Sequence, residues 1–297
     1  MIFSPRQAGY GTAKGRSSRT TLLIIVALIT ILSLPSSSRG GGEGPPDKAD
    51  PTGATETIDG ARSYSIGAAF AGERLRYTLG FLWFRHAADS TVTLARDGED
   101  YLITLTGETR GFVRWVTKQR KDYYRAYVEE IDGGRRFRLK RFEKEVTIGK
   151  RVRRGVTVMD YEKGVLTKRS WGGGKDEKKS EEPIPADTLY DDPLTAFYNF
   201  RFGAYGPIEE GREYYIKTFP KNGVDTMYVR IATDGERQKR RRRRGPVSHL
   251  ADIKIDRELF GSQTGNVEVI FTKELVPLEG VVKDVLLFGD VRGKLTE

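Results

Sequence analysis

Alternation of apolar and polar residues with a period of two dominates this chain and restricts it to β-sheet architecture. The clearest case runs from Glu73 to Phe84, where apolar side chains occupy every second position from Leu75 to Trp83. Successive side chains of a strand point to opposite faces, so this pattern places one face in a core and the other towards water. The segment therefore predicts a strand with one buried face.

The same alternation recurs along most of the chain. Turn sequences that favour positive φ, Asp97-Gly98, Asp132-Gly133-Gly134 and Lys163-Gly164, separate several of the runs, which indicates antiparallel hairpins. Further strands are predicted at 91-96, 101-107, 112-118, 123-131, 135-142, 145-152, 155-161, 165-171, 213-219, 224-232, 247-256, 266-272, 280-288 and 291-295.

One helix is predicted near 192-202. Asp192 is a good N-cap and Pro193 suits the first helical position, because its missing N–H would have no intrahelical partner. The apolar residues that follow, Leu194, Phe197 and Tyr198, share a stripe with Arg201. We expect this stripe to pack on the sheet.

Length and cysteine content favour a single core without covalent cross-links. The chain has 297 residues and no cysteine, so neither disulfides nor a lipid-bearing cysteine contribute. We predict an all-β, mainly antiparallel domain over 63-297. Its architecture would be a curved sheet, half-barrel or barrel of roughly a dozen strands, with the short helix packed against it.

Polar, glycine-rich or charged stretches interrupt the alternation in three places. Residues 39-62 are read as a disordered linker, because they carry too little apolar surface to offset the entropy of ordering. The stretch 172-188 is predicted to be a flexible excursion, and 236-246 a basic loop.

Residues 1-38 have the organisation of an export signal. Basic residues from Arg6 to Arg19 precede the apolar run Leu22 to Leu34, and Pro35 is followed by three serines that could form a processing site. The apolar run is shorter than the roughly 20 residues that span a bilayer, so cleavage is favoured. We expect a periplasmic or exported protein; the alternative is an inner-membrane anchor through residues 20-34.

Signatures of known enzyme chemistry are scarce. With no cysteine and only His86 and His249, a His-rich or cysteine-based metal site and a cysteine nucleophile are excluded. The stretch Gly172 to Lys175 lacks the spacing of a phosphate loop. We therefore assign no catalytic, cofactor-binding or metal-binding residue, and we favour a protein without catalytic activity.

Two small groups of charged residues are candidates for a polar cluster or ligand site. Asp191 and Asp192 either cap the helix or form an acid pair near Arg201, as in an envelope hydrolase. Asp290 and Arg292 share one face of the last strand, where they could pair with each other or contact the helix of Arg201. Alternatively, Arg292 holds an anionic head group.

A run of five arginines concentrates like charges between two predicted strands. Because such charges repel one another, we expect an exposed loop, either inert or in contact with an anionic membrane surface or acidic glycan. Binding of nucleic acid through this run would require a cytoplasmic protein, so no nucleic acid partner is expected. The run consists of Arg240, Arg241, Arg242, Arg243 and Arg244.

Three stretches resemble a known family. The chain is similar to the exported bacterial proteins grouped as domain of unknown function 3108, which implies an exported, mostly antiparallel β domain without established catalytic residues. The stretches are Phe70-x-Gly72-Glu73-x-Leu75-x-Tyr77, the helix sequence Asp192-Pro193-Leu194-Thr195-Ala196-Phe197-Tyr198 with Arg201, and the closing segment from Phe271 through Pro277 to Phe288-Gly289-Asp290-Val291-Arg292-Gly293-Lys294-Leu295.

These observations favour a binding or structural module of the cell envelope, with a lipid, glycan or protein as partner and no cofactor. A set of aromatic residues either lines a hydrophobic cleft or fills the core: Tyr77, Phe81, Trp83, Tyr101 and Trp115. The alternatives are an envelope hydrolase using Asp191 and Asp192, and binding of an anionic surface or nucleic acid through Arg240 to Arg244.

Overall fold

A computed structural model describes residues 64–221, 224–240, 249–255, 257, 262–286 and 288–296. The predicted leader at 1-38 and almost all of the predicted linker at 39-62 lie outside these ranges. The same holds for four residues of the arginine run: Arg241, Arg242, Arg243 and Arg244. None of the helices in the described part of the chain is both long and apolar enough to cross a membrane.

Fourteen strands of the described residues form one antiparallel sheet. The strands are β1 (Arg74–Phe81), β2 (Phe84–Asp97), β3 (Asp100–Thr109), β4 (Lys121–Ile131), β5 (Arg136–Ile148), β6 (Arg151–Asp160), β7 (Val165–Gly172), β8 (Lys175–Pro183), β9 (Glu213–Lys221), β10 (Val224–Ile231), β11 (His249–Lys254), β12 (Asn266–Phe271), β13 (Pro277–Val285) and β14 (Gly289–Leu295). The helices are α1 (Ile66–Phe70), α2 (Gly111–Val116), α3 (Pro193–Phe202) and α4 (Asp234–Arg240).

The strand order follows the chain except at one junction. Neighbours run from β8 back to β1, then from β14 back to β9. The first and last strands therefore pair at the centre, with Tyr77 opposite Leu295 and Phe81 opposite Val291. The sheet is curved but not closed, and β8 and β9 are its edges. The prediction of an all-β, mainly antiparallel domain is confirmed, and of the predicted architectures the structure has the open curved sheet.

The predicted helix is confirmed as α3, and its ends follow the local sequence. Asp192 accepts hydrogen bonds from the backbone N–H groups of Leu194 (2.8 Å) and Thr195 (3.4 Å). Gly203 ends the helix with φ of 81°, a conformation that costs glycine little.

α3 is joined to the sheet by one side chain as well as by apolar packing. Asn199 accepts from the backbone N–H of Phe137 (2.8 Å) and donates through Nδ2 to the Phe137 carbonyl (2.9 Å). Tyr198 and Leu194 are buried in the same core as Phe137 and Leu139. Because Asn199 satisfies one backbone donor and one acceptor in β5, it fixes how the helix sits on the sheet.

The stretch predicted as a strand at 112-118 is instead α2. Its apolar residues fit a helical spacing as well as a period of two, because Phe112, Trp115 and Val116 recur at i, i+3 and i+4. Only Val113 of α2 is buried. Trp115 is 77% exposed, which excludes it from the core.

The two strands predicted at 135-142 and 145-152 are largely one. β5 continues from Arg136 to Ile148, and the turn falls at Gly149, where φ is 58°. A register shift opposite Tyr127 and Val128 changes which side chains of β5 face inwards. This irregularity broke the alternation in the sequence without ending the strand.

The stretch 172-188, predicted as a flexible excursion, contains the edge strand β8. It pairs with β7, and ion pairs join the two strands, from Lys168 to Glu182 (2.8 Å) and from Arg169 to Glu177 (2.5 Å). Lys and Glu residues predominate in β8, as is typical of an exposed edge strand, because charges there discourage pairing with other chains.

The predicted basic loop at 236-246 begins as the helix α4, which extends to Arg240. Glu236 stabilises its first turn by accepting from the backbone N–H of Thr233 (2.9 Å) and from the Arg230 guanidinium (3.0 Å). The prediction of a loop was based on the run of arginines alone. It overlooked the acidic residues before them, which stabilise the first turn of a helix.

Candidate ligand-binding site

Asp191 is buried in a network of polar side chains before α3. It accepts from Arg136 Nη2 (2.9 Å), from the Tyr205 hydroxyl (2.6 Å) and from Asn199 Nδ2 (3.4 Å). Burial raises the pKa of Asp191 and outweighs the opposing effect of Arg136. The carboxylate thus anchors β5 and the chain after α3 to the start of the helix.

Asp192 is bonded to its own helix. Besides the two backbone N–H groups, the Thr195 hydroxyl donates to its carboxylate. Burial raises the pKa of Asp192 to about 6. With Asp191 1% exposed and Asp192 0% exposed, the geometry supports capping and not an acid pair facing an open cleft.

Arg201 lies at the other end of α3 and binds Glu73 at the start of β1. Its guanidinium donates from Nη1 (2.6 Å) and Nη2 (2.7 Å) to the two carboxylate oxygens, and from Nε to the Leu275 carbonyl (3.0 Å). The Phe70 ring centroid lies 4.5 Å from its Cζ. This buried guanidinium combines a two-point ion pair with cation–π contact.

The three stretches that carry the family resemblance meet at Arg201. Phe70 and Glu73 belong to the first stretch, Arg201 to the second, and Leu275 to the third. The sequence singled out Arg201, but it did not indicate Glu73 as its partner.

Asp290 and Arg292 lie away from α3, contrary to the expectation that they would contact its arginine. Asp290 accepts from Lys283 Nζ (3.3 Å), whereas Arg292 pairs with Glu279 of the neighbouring strand. Both residues are on the exposed face of β14. The five predicted polar residues are therefore three separate groups in the structure.

Arg240, the described member of the arginine run, is held by the sheet. Its guanidinium pairs with Asp252 of β11 through both terminal nitrogens, with 3.0 Å between Nη2 and Oδ2. This ion pair joins the end of α4 to β11, and Arg240, although exposed, belongs to a helix and not to the predicted loop. Contact with an anionic surface stays a prediction for the four arginines outside the described residues: Arg241, Arg242, Arg243 and Arg244.

A cavity of about 590 Å³ lies beside the N-terminus of α3, where both edge strands approach one another. Leu105, Tyr124, Phe142, Leu194 and Phe219 supply apolar walls, and the rings of Phe142 and Phe219 lie 5.9 Å apart. The remaining walls come from β5 to β8 and the first residue of α3: Lys144, Gly155, Val156, Thr157, Lys168, Arg169, Ser170, Lys178, Lys179, Ser180 and Pro193.

The charged residues of the cavity wall are all cationic. Lys144 and Lys168 are half-buried, whereas Arg169, Lys178 and Lys179 are exposed and mark the side facing solvent. No carboxylate is among the described residues that line the space. The cavity therefore combines an apolar interior with a rim of cationic side chains, three of which also pair with glutamates outside the lining: Lys168, Arg169 and Lys179.

Tyr124 places a polar atom beside the apolar wall. Among the described residues its buried hydroxyl has no hydrogen-bond partner, and burial raises its pKa well above the usual value. The Lys144 ammonium lies 5.5 Å from the ring centroid. The cavity wall thus carries a buried hydroxyl and, over the face of the same tyrosine ring, an ammonium group, and both can donate to oxygen atoms of an anionic group.

A second, smaller space of about 80 Å³ lies across α3 and is lined by apolar residues of β9 to β12. Phe197, Phe200 and Met227 are among its walls, and Pro193 lines both spaces. Its size matches imperfect packing of a core better than a ligand site.

The residues of the large cavity were not identified from the sequence. A weak signal existed in β5, because Lys144 interrupts a face that otherwise carries Phe142, Val146 and Ile148. Which cationic strand residues face a common space depends on how the sheet curls, and that is a property of the tertiary structure.

Comparison with curated proteins yields no match. One similar solved structure is the crystal structure of a beta-barrel-like protein of domain of unknown function DUF1849 from Brucella abortus. It aligns with a TM-score of 0.41 and 12% identity, over 77% of this chain and 98% of that one. Residues 74–296 match the family described as "Protein of unknown function (DUF3108)". The resemblance found in the sequence is thereby confirmed, and the chain belongs to the DUF3108 family.

Proposed function

We propose that the protein is an exported, non-catalytic binding module that holds an amphiphile in the large cavity. The ligand class is a molecule with a long apolar chain and an anionic oxygen-rich head group, such as an envelope lipid or a fatty acid. The apolar interior and cationic rim of the 590 Å³ cavity support this proposal. Ligand pockets generally measure about 300 to 1,000 Å³.

The apolar chain would be bound against Leu105, Phe142 and Phe219. Each buried CH₂ group contributes about 0.8 kcal/mol on transfer from water, so a chain of several carbons supplies most of the binding free energy.

The head group would bind Lys144 and the Tyr124 hydroxyl, with the rim cations nearby. A hydrogen bond to a charged group contributes about 1.5 to 3 kcal/mol in a partly buried site. This arrangement favours a carboxylate or phosphate over an alcohol of the same chain length.

The proposal that the protein is exported is based on the leader, residues 1-38. Basic residues up to Arg19 and the apolar run that begins at Leu22 support export, and release or anchoring depends on cleavage near Ser38. Mass spectrometry of the N-terminus of protein from the periplasmic fraction tests this. Full-length chain in the cytosol would contradict export without bearing on the cavity.

The binding proposal is tested by mass spectrometry of organic extracts from the purified full chain, together with displacement of a fluorescent fatty acid. Gly155→Phe should fill the cavity, because Gly155 lines it and only the Arg169 carbonyl lies within 4 Å of an added Cβ. Val158→Phe on the exposed face of β6 is the matched control.

We expect wild type and Val158→Phe to bind the probe and Gly155→Phe to lose it, with all three equally folded by circular dichroism. Equal affinity in all three proteins would contradict binding in the cavity. Absence of both probe binding and co-purified lipid from wild type would contradict an amphiphile as ligand.

A further inference from the structure

One end of the sheet carries a cluster of exposed large apolar side chains. We call it the aromatic tip and define it by Leu82, Trp83, Phe112, Trp115 and Val116. Trp83 and Trp115 are each 77% exposed, and the other three are exposed by more than half. Exposed apolar patches of this kind mark interaction surfaces in soluble proteins.

The aromatic tip is one continuous surface built from two connections. Phe84 stacks on Phe112 (centroids 6.0 Å apart, interplanar angle 8°) and also contacts Trp83 (5.9 Å). Phe112 in turn contacts Trp115 (5.9 Å). The β1–β2 turn and α2 therefore present their rings together.

One residue of the aromatic tip, Leu82, has a strained backbone conformation. Leu82 has φ of 48°, in the left-handed region that a branched apolar side chain rarely occupies. A glycine would satisfy the turn without strain, yet a leucine that is 60% exposed stands there. An exposed apolar residue at a strained position indicates a role outside the folding of the domain.

The segments around the tip are basic. Residues 82–88, 110–120 and 149–154 contain no Asp or Glu, and their cations include the exposed Arg85, Arg114 and Lys118. The β5–β6 turn is adjacent to α2, since the Gly149 N–H donates to the Lys118 carbonyl (2.6 Å). Positive charge thus flanks the apolar surface along these segments, whereas the exposed Asp284 and Asp290 lie on the β13–β14 side, where Gly289 is next to Leu82.

From this charge complementarity we infer that the aromatic tip docks on the surface of an anionic phospholipid bilayer. Tryptophan is enriched at the interface of membranes, where its ring lies at the level of the head groups. Basic residues beside an apolar patch are attracted to anionic head groups. This surface is distinct from the cavity and does not depend on the proposed ligand.

The test uses tryptophan fluorescence in the full chain. The protein has three tryptophans, Trp83, Trp115 and Trp171, and none lies in the leader, so insertion of the leader alone gives no signal. The Trp171→Phe variant reports on the tip. It is mixed with vesicles of phosphatidylglycerol and phosphatidylcholine that contain phosphatidylcholine brominated in its acyl chains, which quenches inserted tryptophan.

The control places one tryptophan at the other end of the sheet. Tyr215 is 68% exposed and lies beside Tyr228, close to the end where Ile231 pairs with Ala251 and His249 with Phe271. Pro277, the first residue of β13, pairs with Phe271 at this same end of the sheet. The aromatic tip lies near Val285, the last residue of β13, and therefore at the opposite end. The control is W83F/W115F/W171F/Y215W.

We expect a blue shift and loss of fluorescence for Trp171→Phe with anionic vesicles, and no loss for the control. Replacing Arg85 and Arg114 by Gln should weaken vesicle affinity about 30-fold, since each basic residue near an anionic membrane contributes about fivefold. The effect should fall with added salt.

Three results would overturn the inference. Unchanged fluorescence of Trp171→Phe with vesicles would show that the tip does not insert. Equal quenching in the control would show that insertion is not specific to the tip. The third result combines two observations: the protein dimerises without lipid in a way that is lost on replacing Trp83 and Trp115, and vesicles cause no quenching. It would assign the surface to a second copy of the chain.

Discussion

Arg201 and Glu73 are 128 positions apart in the sequence and form a two-point ion pair that joins the C-terminal turn of α3 to the start of β1. The arginine side chain is buried and the glutamate largely so. The Leu275 carbonyl and the rings of Phe70, Phe197 and Tyr198 also surround the guanidinium. One side chain thus connects the beginning, the middle and the end of the domain.

Replacing Arg201 by Met should lower the free energy of unfolding by about 3 to 5 kcal/mol, because a buried carboxylate and a carbonyl lose their donor. Denaturation by urea measures the change. Arg212→Met is the matched control, since Arg212 pairs with Glu209 at the surface and should cost less than about 1 kcal/mol. Equal losses in both variants would contradict the structural role of the Arg201 pair.

Asp192 should make the protein more stable at mildly acidic pH than at neutral pH. Its pKa in the folded protein is about 6, above the unfolded value near 3.9, so the folded state binds the proton first. The stabilisation is present below about pH 4 and is lost as the pH rises through about 6. Asp192→Asn should remove this contribution.

Asparagine is a suitable replacement because it removes the titrating carboxyl group but can still cap the helix, by accepting a hydrogen bond from the Leu194 N–H. The measurement is the unfolding free energy of both proteins between about pH 4 and 7, the range that brackets the two pKa values. The unfolding free energy of wild type should fall relative to that of Asp192→Asn as the pH rises. Across this range we expect a relative change of at most about 3 kcal/mol. A constant difference over this range would contradict the raised pKa.

Leu82→Gly should separate the stability of the domain from the function of the aromatic tip. Relief of the positive φ should leave the free energy of unfolding unchanged or raise it by about 1 kcal/mol. Leu82→Ala removes the same apolar side chain but keeps the strain. Vesicle affinity should fall in both variants, and thermal unfolding should rank the glycine variant above the alanine variant.

Lys144→Met should reduce the preference of the cavity for an anionic head group. Wild type is expected to bind a long-chain fatty acid more tightly than the corresponding alcohol, and loss of the ammonium should cost the acid about tenfold in affinity. Competition with a fluorescent probe measures both ligands. An equal loss for acid and alcohol would assign Lys144 a packing role only.

Local sequence determined most of the secondary structure. The period of two identified the long strands because each has one face in the core, and Asp192-Pro193 located the start of α3 through backbone chemistry confined to a few residues. The signal failed at α2, whose apolar residues fit either period, and at β8, whose charges are typical of loops and edge strands alike.

The sequence by itself determined a mainly antiparallel β domain with one capped helix, and it identified the family, since short-range patterns carry that information; it left a curved sheet, a half-barrel and a barrel open, and the structure decided for the open curved sheet. Only the tertiary structure decided that Arg201 pairs with Glu73, that Lys144 and Lys168 face one cavity, and that Trp115 is exposed. Such relationships depend on how the sheet curls and which strands become neighbours. Residue spacing along the chain does not encode a contact between positions more than a hundred residues apart.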